Sequence, residues 1–65
     1  MNMPSHEVAI RITKELKIKP RVRAAHLTEY AKRLNVSGNY ESSNGPYHYQ
    51  WSENDYDRLL KIFKQ

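Results

Sequence analysis

The chain contains no cysteine, so neither a disulfide framework nor a thiolate metal site can hold it together, and packing alone must do so. Its two glycines are too few for a glycine-rich loop that cradles phosphates. One phenylalanine and one tryptophan leave few large side chains for a core, and at 65 residues a single domain is close to the size where a hydrophobic core barely suffices. No apolar stretch approaches the roughly 18 to 20 residues that span a bilayer, and Met1-Asn2-Met3-Pro4 is not followed by a signal-peptide apolar region. The expectation is a cytoplasmic protein with no membrane partner. The sequon Asn35-Val36-Ser37 would matter only in a secreted chain.

Catalytic and metal chemistry lack their residues too. His6, His26 and His48 are far apart in sequence, without the i, i+4 pairing or nearby carboxylates of a metal site, and ordinary surface histidine is the plainer reading. There is no nucleophile with an adjacent base, no paired-carboxylate motif, and little room for a concave pocket. The expectation is a non-enzymatic protein without cofactor.

One further absence is informative: no acidic residue falls between Glu15 and Glu29. That window holds Lys17-Ile18-Lys19-Pro20-Arg21-Val22-Arg23, four cations alternating with apolar residues or proline. Charge is uneven along the whole chain. Up to Val36, eight Lys and Arg face three Glu, a net of +5; from Ser37 onward three face four, a net of −1. The basic half is the expected contact surface and the second half its support.

Val8, Ala9, Ile12 and Leu16 recur at helical spacing, predicting a first helix capped by Ser5 and running to about Lys17. Pro20 limits it. Residues 18–23 then have two readings. They form a short strand, with Ile18, Pro20 and Val22 inward and Lys19, Arg21 and Arg23 outward, or Pro20 opens a second helix early. The strict alternation favours the strand. A second helix is predicted from about Ala24 to Asn35, with Ala24, Leu27, Ala31 and Leu34 on one face and His26, Glu29, Lys32 and Arg33 on the other.

Residues 38–51 read as a hairpin with a loop at 43–46. That register sets Ser42 opposite Tyr47, Tyr40 opposite Tyr49 and Gly38 opposite Trp51, so Tyr40, Tyr47, Tyr49 and Trp51 share one face. Asn39, Glu41, His48 and Gln50 fall on the other. Ser52 and Asp55 form a capping box for a last helix, with Trp51 and Tyr56 at the hydrophobic-staple positions. Tyr56, Leu59, Leu60 and Phe63 make its inward stripe. The fold class is α+β: a small winged-helix-like domain over residues 1–65, with three helices, a β-hairpin and a short third strand.

Leu27-Thr28-Glu29-Tyr30-Ala31-Lys32-Arg33-Leu34-Asn35-Val36-Ser37 resembles the "A-K-R-L-G-V-S" helix end of the small winged helix-turn-helix domains of the excisionase and MerR-like group. Tyr47 through Asp55 resembles their closing wing strand running into an "S-E-x-D" helix start. In that family a recognition helix follows the "L-G-V-S" turn, whereas here the chain runs from Ser37 almost directly into the hairpin. Either helix 2 takes that role, or the fold is not a helix-turn-helix. The resemblance implies an excisionase-like regulatory or architectural protein that binds double-stranded DNA.

On this reading Lys14, Lys17, Lys19, Arg21 and Arg23 contact phosphates, and His26, Lys32 and Arg33 meet base edges or backbone. The wing tip, with Asn44, and nearby His48 reach a groove or phosphate through small polar groups. The plainer readings are a solvated charge run and an exposed loop. Two other functions fit the same residues: a protein-interaction module, such as a phage or mobile-element accessory protein, that docks on an acidic partner, and single-stranded DNA or RNA binding by stacking on the hairpin aromatics. A homo-oligomer on DNA is open to a domain this small.

Overall fold

The computed structural model describes residues 2–39 and 48–65. Six elements follow one another: β1 (Met3–Pro4), α1 (Ser5–Leu16), α2 (Ala24–Arg33), β2 (Gly38–Asn39), β3 (His48–Trp51) and α3 (Glu53–Lys64). Three helices and an antiparallel β2–β3 pair make an α+β domain, an arrangement consistent with winged-helix-like folds in general. Tyr40, Tyr47 and the wing tip with Asn44 lie outside the described residues.

The third strand is not where the alternating charges put it. It is β1, which pairs antiparallel with β3 through Met3↔Trp51 and Pro4↔Gln50, giving the sheet order β1-β3-β2. Residues 18–23 form neither a strand nor the start of α2. Their backbone donors explain why: the Ile18 N–H bonds the Thr13 carbonyl at 3.1 Å, the Val22 N–H bonds the Thr13 hydroxyl at 2.9 Å, and Pro20 has no N–H to give. A ladder needs those donors free.

Ser5 is likewise not the cap of α1. Pro4 holds the N-cap position in an extended conformation, already committed to the sheet, and the Ser5 hydroxyl accepts the Trp51 indole N–H at 2.9 Å. At its other end α1 closes on Lys17, in the left-handed region at φ 53°, ψ 47°. The Lys17 and Ile18 N–H groups both reach the Thr13 carbonyl, a Schellman-type ending. Helix α2 ends the same way. Asn35 sits at φ 56° and the Val36 N–H bonds the Ala31 carbonyl at 2.9 Å. Asn is the residue other than Gly that most readily takes this conformation, so Asn35 closes α2 at the position where glycine is commonest. Its helix therefore stops at Arg33 rather than at Asn35.

The core gathers where α1, α2, β3 and α3 meet. Val8, Ala9 and Ile12 come from α1, Leu27 and Ala31 from α2, and Tyr56 and Leu59 from α3, with Trp51 fully buried among them. Val22 and Val36 pin the connectors to the same cluster. Ser52 and Asp55 complete the capping box on α3, with both bonds at 3.1 Å, and Phe63 reaches the Tyr30 ring at a centroid distance of 5.2 Å.

The hairpin register differs from the sequence expectation by two residues. Gly38 faces Tyr49 and Asn39 faces His48, and the Gln50 N–H bonds the Ser37 carbonyl at 2.7 Å. A slip of two preserves the faces, so Trp51 still points into the core while His48 is exposed. Counting turn residues set the expected register. What sets the real one is the burial of Val36 and Trp51 on either side of the pair.

Candidate nucleic-acid interface

The basic connector is built on one threonine. On α1, Thr13 donates its hydroxyl to the Ala9 carbonyl at 2.7 Å and accepts the Val22 N–H on the same oxygen, while its carbonyl takes the Lys17 and Ile18 N–H groups. Both ends of the connector are thereby fixed to the last turns of α1. Val22 is buried and Ile18 half-buried, which forces Lys19, Arg21 and Arg23 outward. Pro20, expected inward, is exposed. The Lys19–Pro20 peptide bond is cis.

Lys14, Lys17, Lys19, Arg21 and Arg23 are all exposed, and the two ion pairs found among the described residues involve none of them. Those pairs lie toward α3. Arg11 Nη1 donates to Glu53 Oε1 at 2.8 Å and its guanidinium lies 4.1 Å over the Tyr56 ring, so this cation is committed to the scaffold. Its hydrogen bond holds the Glu53 carboxyl below the usual carboxylate range and raises Arg11 in return. Arg58 pairs with Asp55 at 3.4 Å.

On α2, His26, Glu29, Lys32 and Arg33 are exposed, as the helical spacing predicts. His26 has a local duty as well: its Nδ1 accepts the Arg23 N–H at 3.3 Å and caps the helix start from its third position. That leaves Nε2 as the donor. Lys32 and Arg33 lie at the other end of α2, about 12 Å along its axis from Ala24, and the Arg33 guanidinium sits 5.9 Å from the Tyr30 ring. The histidine and the two C-terminal cations thus occupy opposite ends of one helix.

Two grooves lie beside α1, one of them against the connector. The larger, about 450 Å³, lies between α1 and residues 21–24; Lys14, Arg21 and Arg23 line it beside Ala9, Ile10 and Val22. The smaller, about 270 Å³, runs between the start of α1, the start of α2 and β3, where His48 and Tyr49 line it with Ser5 and Thr28. His6 and Ala24 belong to both. The structure thus brings Lys14, Arg21 and Arg23 together and sets His48 in a neighbouring groove. The groove beside the cations is also lined by His6, Ile10 and Thr13, which sequence reasoning missed and which the DNA reading does not use as contacts. Their signal was present: His6, Ile10, Thr13 and Lys14 make one helical stripe beside the buried Val8, Ala9 and Ile12.

Trp51 offers no stacking surface, because it is fully buried with its N–H bonded to Ser5. Among the described residues no group of three or more His, Asp or Glu is placed to hold a metal ion, and no helix is long and apolar enough to cross a membrane. Compared with known proteins, the chain matches no family model, no curated protein and no solved structure.

Proposed function

We propose that this protein is a small, non-enzymatic, excisionase-like factor that binds duplex DNA through its basic connector and α2. The observation that carries the reading is the exposed set Lys17, Lys19, Arg21 and Arg23 on a connector clamped at both ends by Thr13, with Lys14 exposed beside them on α1. Cations held on an ordered backbone lose less freedom on binding than the same cations on a loose loop. The order of elements gives further support. Two consecutive helices precede the antiparallel pair, which suits α2 to the part of a second, groove-reading helix.

In this reading Lys17, Lys19, Arg21 and Arg23 neutralise phosphates and release counterions, which positions the domain without reading sequence. His26, Lys32 and Arg33 on the outer side of α2 reach base edges or the flanking backbone; an arginine so placed can donate twice to guanine. His48, exposed on β3, adds a contact. The test is titration of a random-sequence duplex at several salt concentrations, with an Arg21→Ala/Arg23→Ala variant beside the parent. The expected parent affinity falls linearly on a log–log plot against salt, and the variant's slope is shallower by about two phosphates' worth. Absence of binding at low salt, or a double variant indistinguishable from the parent, removes DNA as the target of this surface.

A further inference from the structure

We infer that the groove between α1 and residues 21–24 docks a peptide segment of a partner protein, one that carries both acidic and large apolar side chains. This goes beyond DNA binding, because a phosphate backbone has no use for the groove's floor. Ala9, Ile10 and Val22 present carbon there, where phosphate contact needs donors. Ile10 is the one large hydrophobic side chain left open among the described residues, at 54% exposure, and neither the core nor the proposed DNA contacts account for it.

The rim answers what kind of apolar ligand fits. Lys14, Arg21 and Arg23 surround the floor, and no Asp or Glu lines the groove. A segment that lays Leu, Ile or Phe on Ile10 and carries Asp or Glu beside them complements both surfaces at once. The volume of about 450 Å³ falls within the roughly 300–1,000 Å³ of ligand-sized sites, and the groove is partly open to solvent, which suits a chain laid into it. A second copy of this protein is a poorer occupant, since at a net charge of +4 it would bring mostly like charge to a cationic rim.

Ile10→Lys separates this site from the DNA surface. The position is exposed and Lys is a good helix former, so a circular-dichroism melt should show the parent's fold. Random linear peptides are selected by display on the parent protein, and the enriched peptides, made synthetically, are titrated against the parent, Ile10→Lys and Arg21→Ala/Arg23→Ala. Enriched peptides are expected to combine Asp or Glu with Leu, Ile or Phe. Each variant should weaken them about tenfold or more, while Ile10→Lys leaves duplex DNA binding equal to the parent's or tighter, because it adds a cation. No enrichment, or enriched peptides that bind Ile10→Lys as well as the parent, overturns the inference. So does an equal loss of peptide and DNA binding in Ile10→Lys, which would make the groove part of the DNA surface. Peptide losses as expected with no DNA binding by the parent would leave this inference standing and end the DNA reading.

Discussion

The Thr13 hydroxyl accepts the Val22 backbone N–H at 2.9 Å, and that bond ties the basic connector back onto α1. Thr13→Val keeps the branched shape and loses the acceptor, leaving the part-buried Val22 N–H unpaired. The expected cost is about 1–3 kcal/mol, read by urea unfolding through the emission of buried Trp51. Thr13→Ser, which keeps the oxygen, should recover most of it. Duplex affinity should weaken in Thr13→Val although no charge has changed; equal affinity would mean that the connector needs no clamp.

Lys17 allows stability and binding to be driven in opposite directions. It holds the left-handed conformation at φ 53°, which costs a non-glycine residue about 1–2 kcal/mol. Lys17→Gly relieves that strain at the position where helices favour glycine, less the greater entropy glycine loses on folding. Stability should rise by about 0.5–1 kcal/mol, or a few degrees in Tm for a domain of this size. Removing one phosphate contact should at the same time lower the salt slope by about one unit. A variant that gains stability and keeps the full slope would place Lys17 outside the interface.

The bond from Trp51 Nε1 to Ser5 Oγ, at 2.9 Å, joins β3 to the first residue of α1. Ser5→Ala strands a donor on a fully buried side chain, at an expected cost of about 1–3 kcal/mol, reduced by a few tenths because alanine is the better helix former. The check is chemical denaturation together with near-ultraviolet circular dichroism of the indole. If Ser5 were only a cap, its loss would leave the indole band unchanged.

The parts of this fold that were legible in the sequence are those whose signals are local. Helix α3 is the clearest case: Trp51, Ser52, Asp55 and Tyr56 lie within six positions and their roles are fixed by spacing alone. The core face of α2 and its exposed His26, Glu29, Lys32 and Arg33 follow from the helical period in the same way. The third strand was misplaced because alternation is a property of side chains, whereas a strand needs free backbone donors, and Thr13 had taken those of Ile18 and Val22. Strand β1 gave no signal at all, being two residues that include a proline and pair with partners more than forty positions away. The exposed cations of the connector were visible as composition. Their clamp and the groove with Ile10 were not, because both depend on how α1 meets the connector.

Tyr56 is buried to 1% exposure, and its hydroxyl has no hydrogen-bond partner among the described residues. Burial pushes its pKa above the ordinary 10.0; the Glu15 carboxylate adds to the shift by its charge and as an acceptor toward the hydroxyl outside full hydrogen-bond geometry, while Arg11, over the ring, opposes it. The folded state therefore holds this proton more tightly than the unfolded chain does. Stability from this group is complete below pH 10.0 and is lost as the pH rises through the higher folded value. Tyr56→Phe removes both the ionisation and a buried hydroxyl that lacks a well-formed hydrogen bond. Its alkaline unfolding midpoint should lie above the parent's, and at neutral pH it should be equally stable or more stable by up to about 1 kcal/mol. Far-ultraviolet circular dichroism and phenolate absorbance followed together through alkaline titration test this, since one tyrosine of the parent should ionise only as the fold is lost. A Tyr56→Phe protein that is clearly less stable at neutral pH would show that the hydroxyl's interaction with Glu15 outweighs the cost of burying it.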